Sequence, residues 1–433
     1  MSLVKSHKGI VETVKQPITS DVFVIDFNCL IHRYLQDENP IQSVLDALEH
    51  ILQTVCKAKQ VIIAMDGVVP YAKIVQQRYR RMRIRDEGIF DRHQISPDTP
   101  YMRDLEHATR ERFPYAIVSG TNEEGEGEHK LIQQLTRMSE TQRRSICVYG
   151  LDADLILICL QHHGLSNPHS FWLLRESNEF NDPKLKHAEF ATLSIWKLLK
   201  QLPMHVDQYV VLSILCFGND FMPHLGMFSL REDGYQRALQ IYTDAGLPDL
   251  TTVRGRRTFL ACAAKRELDV FRERILRRKR PEEKAVLGRD MSLFRRKYML
   301  HVLEGADPTD VVKAYWNTFE WTWYYFKHSR PLDWSWVYPY PEAPLVQDLV
   351  EQDEQFDLVE MPRTFNATRQ LQFILPHASL RIAKRRVLYP DELYVETRHP
   401  WMKRHDWETK PRISLPWNPT HALTTVSRVD FVN

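Results

Sequence analysis

A mainly parallel, twisted α/β sheet flanked by helices, followed by a helical region and a C-terminal strap, is the fold class this sequence predicts. Three observations lead there. Residues 1–175 alternate short apolar, β-branched runs with segments whose apolar residues recur at spacings of three and four. From Glu189 onward helical spacing takes over. Residues 331–433 lose clear periodicity and become rich in proline and aromatic rings.

The predicted strands are Val22–Ile25, Val61–Met65, Ala116–Val118, Ile146–Tyr149 and Phe171–Leu174, and the helices between them Ile41–Lys59, Ala72–Arg85, Asp104–Arg112, Gly127–Met138 and Ala153–His162. Further helices are predicted over Glu189–Leu202, Asp207–Phe217, Gly234–Asp244, Arg256–Lys279 and Thr309–Lys327. At about 150 residues per domain, the length of 433 residues fits two or three units. The pattern sets an α/β core at 1–230, a helical region at 231–330 and the strap at 331–433.

The composition, 43% hydrophobic and 26% charged, is that of a globular protein, and no apolar run approaches the roughly 20 residues a bilayer demands. The N-terminal residues show no basic-then-apolar leader, so no secretory signal is expected. The six cysteines are scattered through apolar runs with no Cys-x-x-Cys pair, which favours buried free thiols in a reducing compartment over structural zinc. A cytoplasmic location is therefore expected, the alternative being nuclear through the basic run Arg277–Arg280. The net charge is only +2, but Tyr71–Arg85 carries six cations and no acid, which is how an anion-binding surface is written into a nearly neutral chain.

The chemistry-bearing segment is Glu123–Lys130, Glu-Glu-Gly-Glu-Gly-Glu-His-Lys. Two carboxylates about 4 Å apart repel by roughly 4 kcal/mol at an effective dielectric near 20, so such crowding calls for a cation. Residues i and i+2 do not share a helix face, so Glu126 and Glu128 can converge only if the glycines keep the turn non-helical, while Glu123 and Glu124 are expected to face solvent. Asp152 and Asp154 are expected on an extended run, whose period of two points both the same way. Asp26 and Asp66 end apolar runs, and Asp220 sits in a Gly-Asn-Asp turn. Singly each acid could be a cap; together they crowd the carboxyl edge of one predicted sheet, where α/β sites form. An all-oxygen set selects Mg²⁺ or Mn²⁺, and two such ions suit in-line attack on a phosphodiester.

Pro70 is placed to open a helix that carries Lys73, Gln77, Arg80 and Arg81 near Asp66, a candidate phosphate cradle. His32 is expected on the first turn after the first strand. Among the aromatics of Tyr315–Tyr340, Trp316, Phe319 and Trp323 have the spacing of a buried stripe, whereas Trp334 and Trp336 lie in a proline-flanked extended segment where one ring could stack on a base.

Six ordered segments resemble the XRN family of 5′-to-3′ exoribonucleases, within the wider PIN/FEN-like nuclease fold. They run from Ile25 to His32, Met65 to Lys73 with Gln76 to Arg81, Gly125 to Lys130, Tyr149 to Ile156, Gly218 to His224, and Trp334 to Tyr340, with Phe373–Pro376 resembling a later element. The resemblance implies that Asp26, Asp66, Glu126, Glu128, Asp152, Asp154 and Asp220 hold two Mg²⁺ ions. It implies that Lys73, Gln77, Arg80 and Arg81 receive a 5′-monophosphate, and that His32 and one of Trp334 or Trp336 sandwich terminal bases. The expected activity is hydrolysis of single-stranded RNA bearing a 5′-monophosphate, with stepwise release of nucleoside 5′-monophosphates. A structure-specific DNA flap nuclease and a catalytically silent RNA-binding scaffold are the alternatives.

Overall fold

The computed structural model describes residues 7–82, 90–180, 182–185, 187–277, 291–375 and 379. Predictions touching Arg83, Arg85, the 278–280 end of the second basic run, Pro376 and the strap from 380 onward lie outside the described residues.

Seven strands form one sheet in the order β1-β7-β6-β5-β2-β3-β4. They are β1 Val11–Thr13, β2 Ile18–Asp26, β3 Cys56–Ala64, β4 Ile117–Ser119, β5 Ile146–Tyr149, β6 Phe171–Glu176 and β7 Phe190–Ser194. Strands β2 to β6 pair in parallel. Strand β7 pairs antiparallel with β6, and β1 with β7. The sheet is therefore mixed, parallel at its centre with an antiparallel edge.

The central strands are buried on both faces, as near-continuous apolar runs require. Val22, Val24, Ile62, Ala64, Ile146 and Val148 enter one core, while Phe23, Ile25, Val61, Ile63, Cys147 and Tyr149 enter the other. That alternation is the strand period of two. The first core continues without a break through the helical region to Leu349. A third, smaller cluster joins Val68–Val75 to Trp334, Phe365 and Leu371–Leu375.

The helices used below are α1 Tyr71–Met82, α2 Gly127–Arg137, α3 Asp154–Gln161, α4 Val206–Phe217, α5 Val253–Arg277, α6 Pro308–His328 and α7 Ala367–Ile374. No helix among the described residues is long and apolar enough to cross a membrane.

Three expectations change. The single helix over Ile41–Lys59 is a helix Pro40–His50, a π-turn Ile51–Val55 and then the start of β3 at Cys56. The polar residues Lys57, Lys59 and Gln60 made that strand's first half look unlike a buried one, but it pairs with β2 from Ile18 onward. The helix over Glu189–Leu202 is strand β7 followed by Ile195–Gln201, with the Ser194 hydroxyl accepting from the Lys197 amide to cap the helix. The strap is not wholly extended, since it contains Val346–Glu351 and α7.

The strand order reverses direction across β2: β3 and β4 lie on one side, β5 and β6 on the other. Such a switch point opens a crevice beyond the carboxyl ends of the strands. Asp26 ends β2, Asp66 follows β3, and Asp152 follows β5. Topology alone puts three of the acids there.

Candidate active site

Asp26 is 7% exposed and accepts from the Cys29 thiol at 3.0 Å through Oδ2, while its Oδ1 has no hydrogen-bond partner. Burial and then the neighbouring Asp66 push its carboxyl up to about 7. Asp66 Oδ1 accepts the Gly127 amide at 2.8 Å, so a carboxylate from the β3 end meets the positive N-terminus of α2. Its own amide donates to Asn28 Oδ1 at 3.1 Å.

Glu126 is the N-cap of α2, with extended backbone at φ −72° and ψ 152°, and Glu128 stands in the first helical turn. The expected non-helical glycine turn is not there: Gly127 is already helical, and one extended residue, Glu126, is enough to bring the two carboxyls into the same charge cluster. A Cβ at Gly127 would stand 2.7 Å from Asp26 Oδ1, so glycine is needed for close approach rather than for a left-handed turn. Burial raises Glu126, and raises Glu128 well above the ordinary range, with Asp152 adding to the latter. Glu128 Oε2 has no hydrogen-bond partner. Glu123 and Glu124 face solvent as expected.

Asp152 and Asp154 do not leave an extended strand. Ala153 between them is already helical at φ −69° and ψ −35°, and Asp152 Oδ1 accepts the Asp154 amide at 3.3 Å at the start of α3. The period-of-two argument therefore fails, although both acids stay in the site. Burial and then the Asp152 charge hold Asp154 well above its usual pKa.

Asp220 follows α4 through Gly218, whose φ of +65° lies in the left-handed region and whose Cβ would strike His224 N at 2.5 Å. The Asp220 carboxyl is held below its usual range: burial raises it, but Lys73 and Arg80 together lower it more. Electrostatic influence links all seven acids, through Asp26 with Asp66 and Asp152, Glu128 with Glu126, Asp152 and Asp154, and Asp154 with Asp220.

A cation does stand among them, and it is Lys73. Its ammonium is 2.6 Å from Glu126 Oε2 and 2.9 Å from Asp220 Oδ2 on a side chain only 9% exposed. Among the described residues no group of three or more His, Cys, Asp or Glu stands close enough to hold a metal ion. The donor set nevertheless suits a hard divalent cation. Its donors are all carboxylate oxygens, and Asp26 Oδ1 and Glu128 Oε2 are buried acceptors without a partner.

Of the basic helix, Arg80 is exposed, 3.5 Å from Asp220 Oδ2, and reaches the mouth of the site. Arg81 is tied down by neighbours instead: its Nε donates to Ser96 Oγ at 3.1 Å and its Nη2 to the Ile95 carbonyl, while its charge still bears on Asp66 and His32. Gln77 Oε1 accepts from Gln370 of α7 at 3.2 Å. His32 has a ring reached by solvent but surrounded by protein on most sides. That lost hydration, and then the Arg81 charge, lower it to about 4.

Trp334 packs with Val68, Val69 and Tyr71, and its carbonyl accepts the Tyr71 amide at 2.9 Å, so it stands at the start of α1. Trp336 is anchored to α6 through its indole N–H and Thr318 Oγ1 at 3.1 Å and packs on the helical core.

Sequence reasoning missed two residues here. Tyr325 of α6 donates its hydroxyl to Glu126 Oε1 at 2.9 Å and stacks on His129 at 3.7 Å between ring centroids. It belonged to an aromatic helix whose rings read as core, and nothing local distinguishes it. Gln370 is fully buried, and nothing in the run Gln370-Leu371-Gln372-Phe373-Ile374 separates it from Gln372.

The fold thus carries an acid-rich crevice at the switch point of its sheet and, buried among the acids, a lysine from the adjoining basic helix. The family described as XRN 5′-3′ exonuclease N-terminus matches residues 2–89 and 83–177, and the Xrn1 helical domain matches residues 291–384. The chain belongs to the XRN 5′-3′ exonuclease family.

Among similar proteins, 5′-3′ exoribonuclease 1 of Saccharomyces cerevisiae is 27% identical over 52% of this chain and 19% of its own length. The 5′-3′ exoribonuclease 2 of Eremothecium gossypii is 26% identical over 65% of this chain and 41% of its own length, and human 5′-3′ exoribonuclease 1 is 22% identical over 86% and 28%. The chain spans under half the length of these relatives. Solved structures give looser likenesses. The catalytic core of Rad2 with DNA covers 69% of this chain and 83% of its own, at 14% identity and a TM-score of 0.39. Flap endonuclease-1 from Methanococcus jannaschii covers 53% and 76%, at 12% identity and 0.28.

Proposed function

We propose that the chain is a divalent-metal-dependent 5′-to-3′ exoribonuclease that takes single-stranded RNA with a 5′-monophosphate and releases nucleoside 5′-monophosphates. One observation carries this reading: a buried lysine of the basic helix lies directly on two acids of the crevice. Anion-binding and acid-bearing elements thus converge on a single point.

In this reading Asp26, Asp66, Glu126, Glu128, Asp152, Asp154 and Asp220 would hold two Mg²⁺ ions, with Mn²⁺ as a substitute. Once bound, they supply an activated water and a counter-charge for the leaving oxygen. Tyr325 keeps Glu126 turned into the crevice, and the α2 N-terminus does the same for Asp66. Lys73 balances the acids in the free protein and is within reach of an incoming phosphate, which would compete for its ammonium. Arg80 adds a second cation at the mouth. Arg81, tied to Ser96 and Ile95, shapes the pocket wall and lends its charge at a distance. His32, neutral at physiological pH because its pKa is near 4, offers a ring face to a base without adding charge. Trp334 adjoins α1 but is only 9% exposed, whereas Trp336 is half-buried, and one of the two would take the other face of that base.

The test follows an RNA labelled at its 3′ end and, separately, at internal positions, in Mg²⁺. Mononucleotides appearing in order from the 5′ end are expected, and Asp152→Ala is expected to stop turnover while RNA is still bound. A DNA flap cut in preference to RNA, or oligonucleotide products, would overturn the assignment.

A further inference from the structure

Gln370 joins three segments. Its Oε1 accepts the Val69 amide at 3.0 Å, and its Nε2 donates to the Gly67 carbonyl at 3.4 Å and to Gln77 Oε1 at 3.2 Å. It is 0% exposed, so each amide group must find its partner inside the protein.

The orientation of both amides follows from that chain of partners. A backbone N–H can only donate, so Gln370 must present its oxygen to Val69. Its NH₂ therefore faces Gly67 and Gln77. A donor facing Gln77 demands the Gln77 oxygen, and the Gln77 NH₂ is left on the far side of its own amide. The assignment is forced by the hydrogen-bond chain, whichever way either amide would turn by itself.

Gln77 lies one helical turn beyond Lys73 on the same face of α1. The side of its amide turned away from Gln370 is where a phosphate held by Lys73 and Arg80 would sit. Gln370 is carried by α7, which also grips α1 through Arg78 Nη1 and the Phe373 carbonyl, so the amide is delivered by a rigid contact.

We infer that Gln370 is a positioning residue for the anion pocket, turning the Gln77 amide so that its donors face the 5′-phosphate. The inference rests on the 5′-monophosphate reading above. An ionised glutamate at the same place offers acceptors only: it still serves Val69, but it draws the Gln77 NH₂ inward and leaves the Gln77 oxygen facing the phosphate; because burial raises such a carboxyl, the comparison is made at alkaline pH, where it is ionised.

The experiment measures kcat/KM on one RNA carrying either a 5′-monophosphate or a 5′-hydroxyl, for the wild type, Gln370→Glu, Gln370→Met, Gln77→Ala and the pair Gln370→Glu with Gln77→Ala. Gln370→Glu is expected to lower the phosphate-over-hydroxyl preference by about tenfold, the worth of one hydrogen bond to a charged group, with little change on the hydroxyl RNA. In the Gln77→Ala background it is expected to lower that preference no further. Should Gln370→Glu fail to fold, Gln370→Met reads the same ratio, with a smaller expected loss because the Gln77 amide is then free to turn. A preference kept by the Gln370 variants but lost in Gln77→Ala overturns the inference, as does an equal loss on both RNAs. A wild type indifferent to its 5′ end overturns the underlying reading instead.

Discussion

Lys73 Nζ lies 2.6 Å from Glu126 Oε2, a buried ion pair joining the basic helix to the cap of the acid-bearing helix. Burial by itself would lower the lysine's pKa, but Asp220 and Glu126 outweigh it and hold the ammonium charged. Removing one partner of such a pair costs about 3–5 kcal/mol because the other charge is left buried and uncompensated. Lys73→Met is therefore expected to lower urea stability by an amount on that order without divalent ions, and by clearly less in excess Mg²⁺. An equal loss in both conditions would show that the acids do not gather metal.

Tyr325→Phe deletes the hydroxyl that donates to Glu126 Oε1. Groups that orient a metal ligand typically alter metal affinity about 10–100-fold when removed. The Mg²⁺ concentration giving half-maximal activity should rise by about tenfold or more, with activity largely recovered at saturating Mg²⁺. An unchanged Mg²⁺ requirement would reduce Tyr325 to packing.

Glu267 gives a pH dependence that is independent of the active site. It is 2% exposed and accepts the Val346 and Gln347 amides at 2.7 and 3.1 Å. Burial pushes it up to about 7 from 4.5 despite those bonds. A carboxyl whose folded pKa is raised contributes stability that is complete below its unfolded pKa and is lost as pH rises through the folded one. Stability should fall between about pH 4.5 and 7, by about 3 kcal/mol at about 1.4 kcal/mol per pKa unit. The difference in stability between wild type and Glu267→Gln, measured against pH, should carry that slope. A flat difference would contradict it.

If RNA is gripped through about four phosphates, log affinity should fall against log salt with a slope of roughly −3, from about −0.7 per phosphate on single strands. Fluorescence titrations with Asp152→Ala in rising KCl would show it. A flat response would remove the basic helix from the account.

Much of this was legible in the sequence because it was local. Acids at strand ends and the Gly-Glu-Gly-Glu segment are local signals, and the short apolar, β-branched runs marked the central strands. What was hidden depended on distant partners. Strand β7 and the first half of β3 carry polar residues tolerated only because their neighbours in the sheet supply the ladder. Arg81 looked like part of the cradle from helical spacing, yet its guanidinium is held by Ser96 and Ile95. Tyr325 and Gln370 meet their partners across 199 and 293 residues, a separation no window of sequence can resolve.

The proposed function requires a cut measured from a 5′-phosphate in a metal-bearing crevice. The most direct measurement compares one RNA sequence with a 5′-monophosphate, a 5′-hydroxyl and a capped end, each in Mg²⁺ and in EDTA. Rapid loss of the monophosphate RNA alone, and only in Mg²⁺, is expected. Equal degradation of all three, or degradation that survives EDTA, would contradict it.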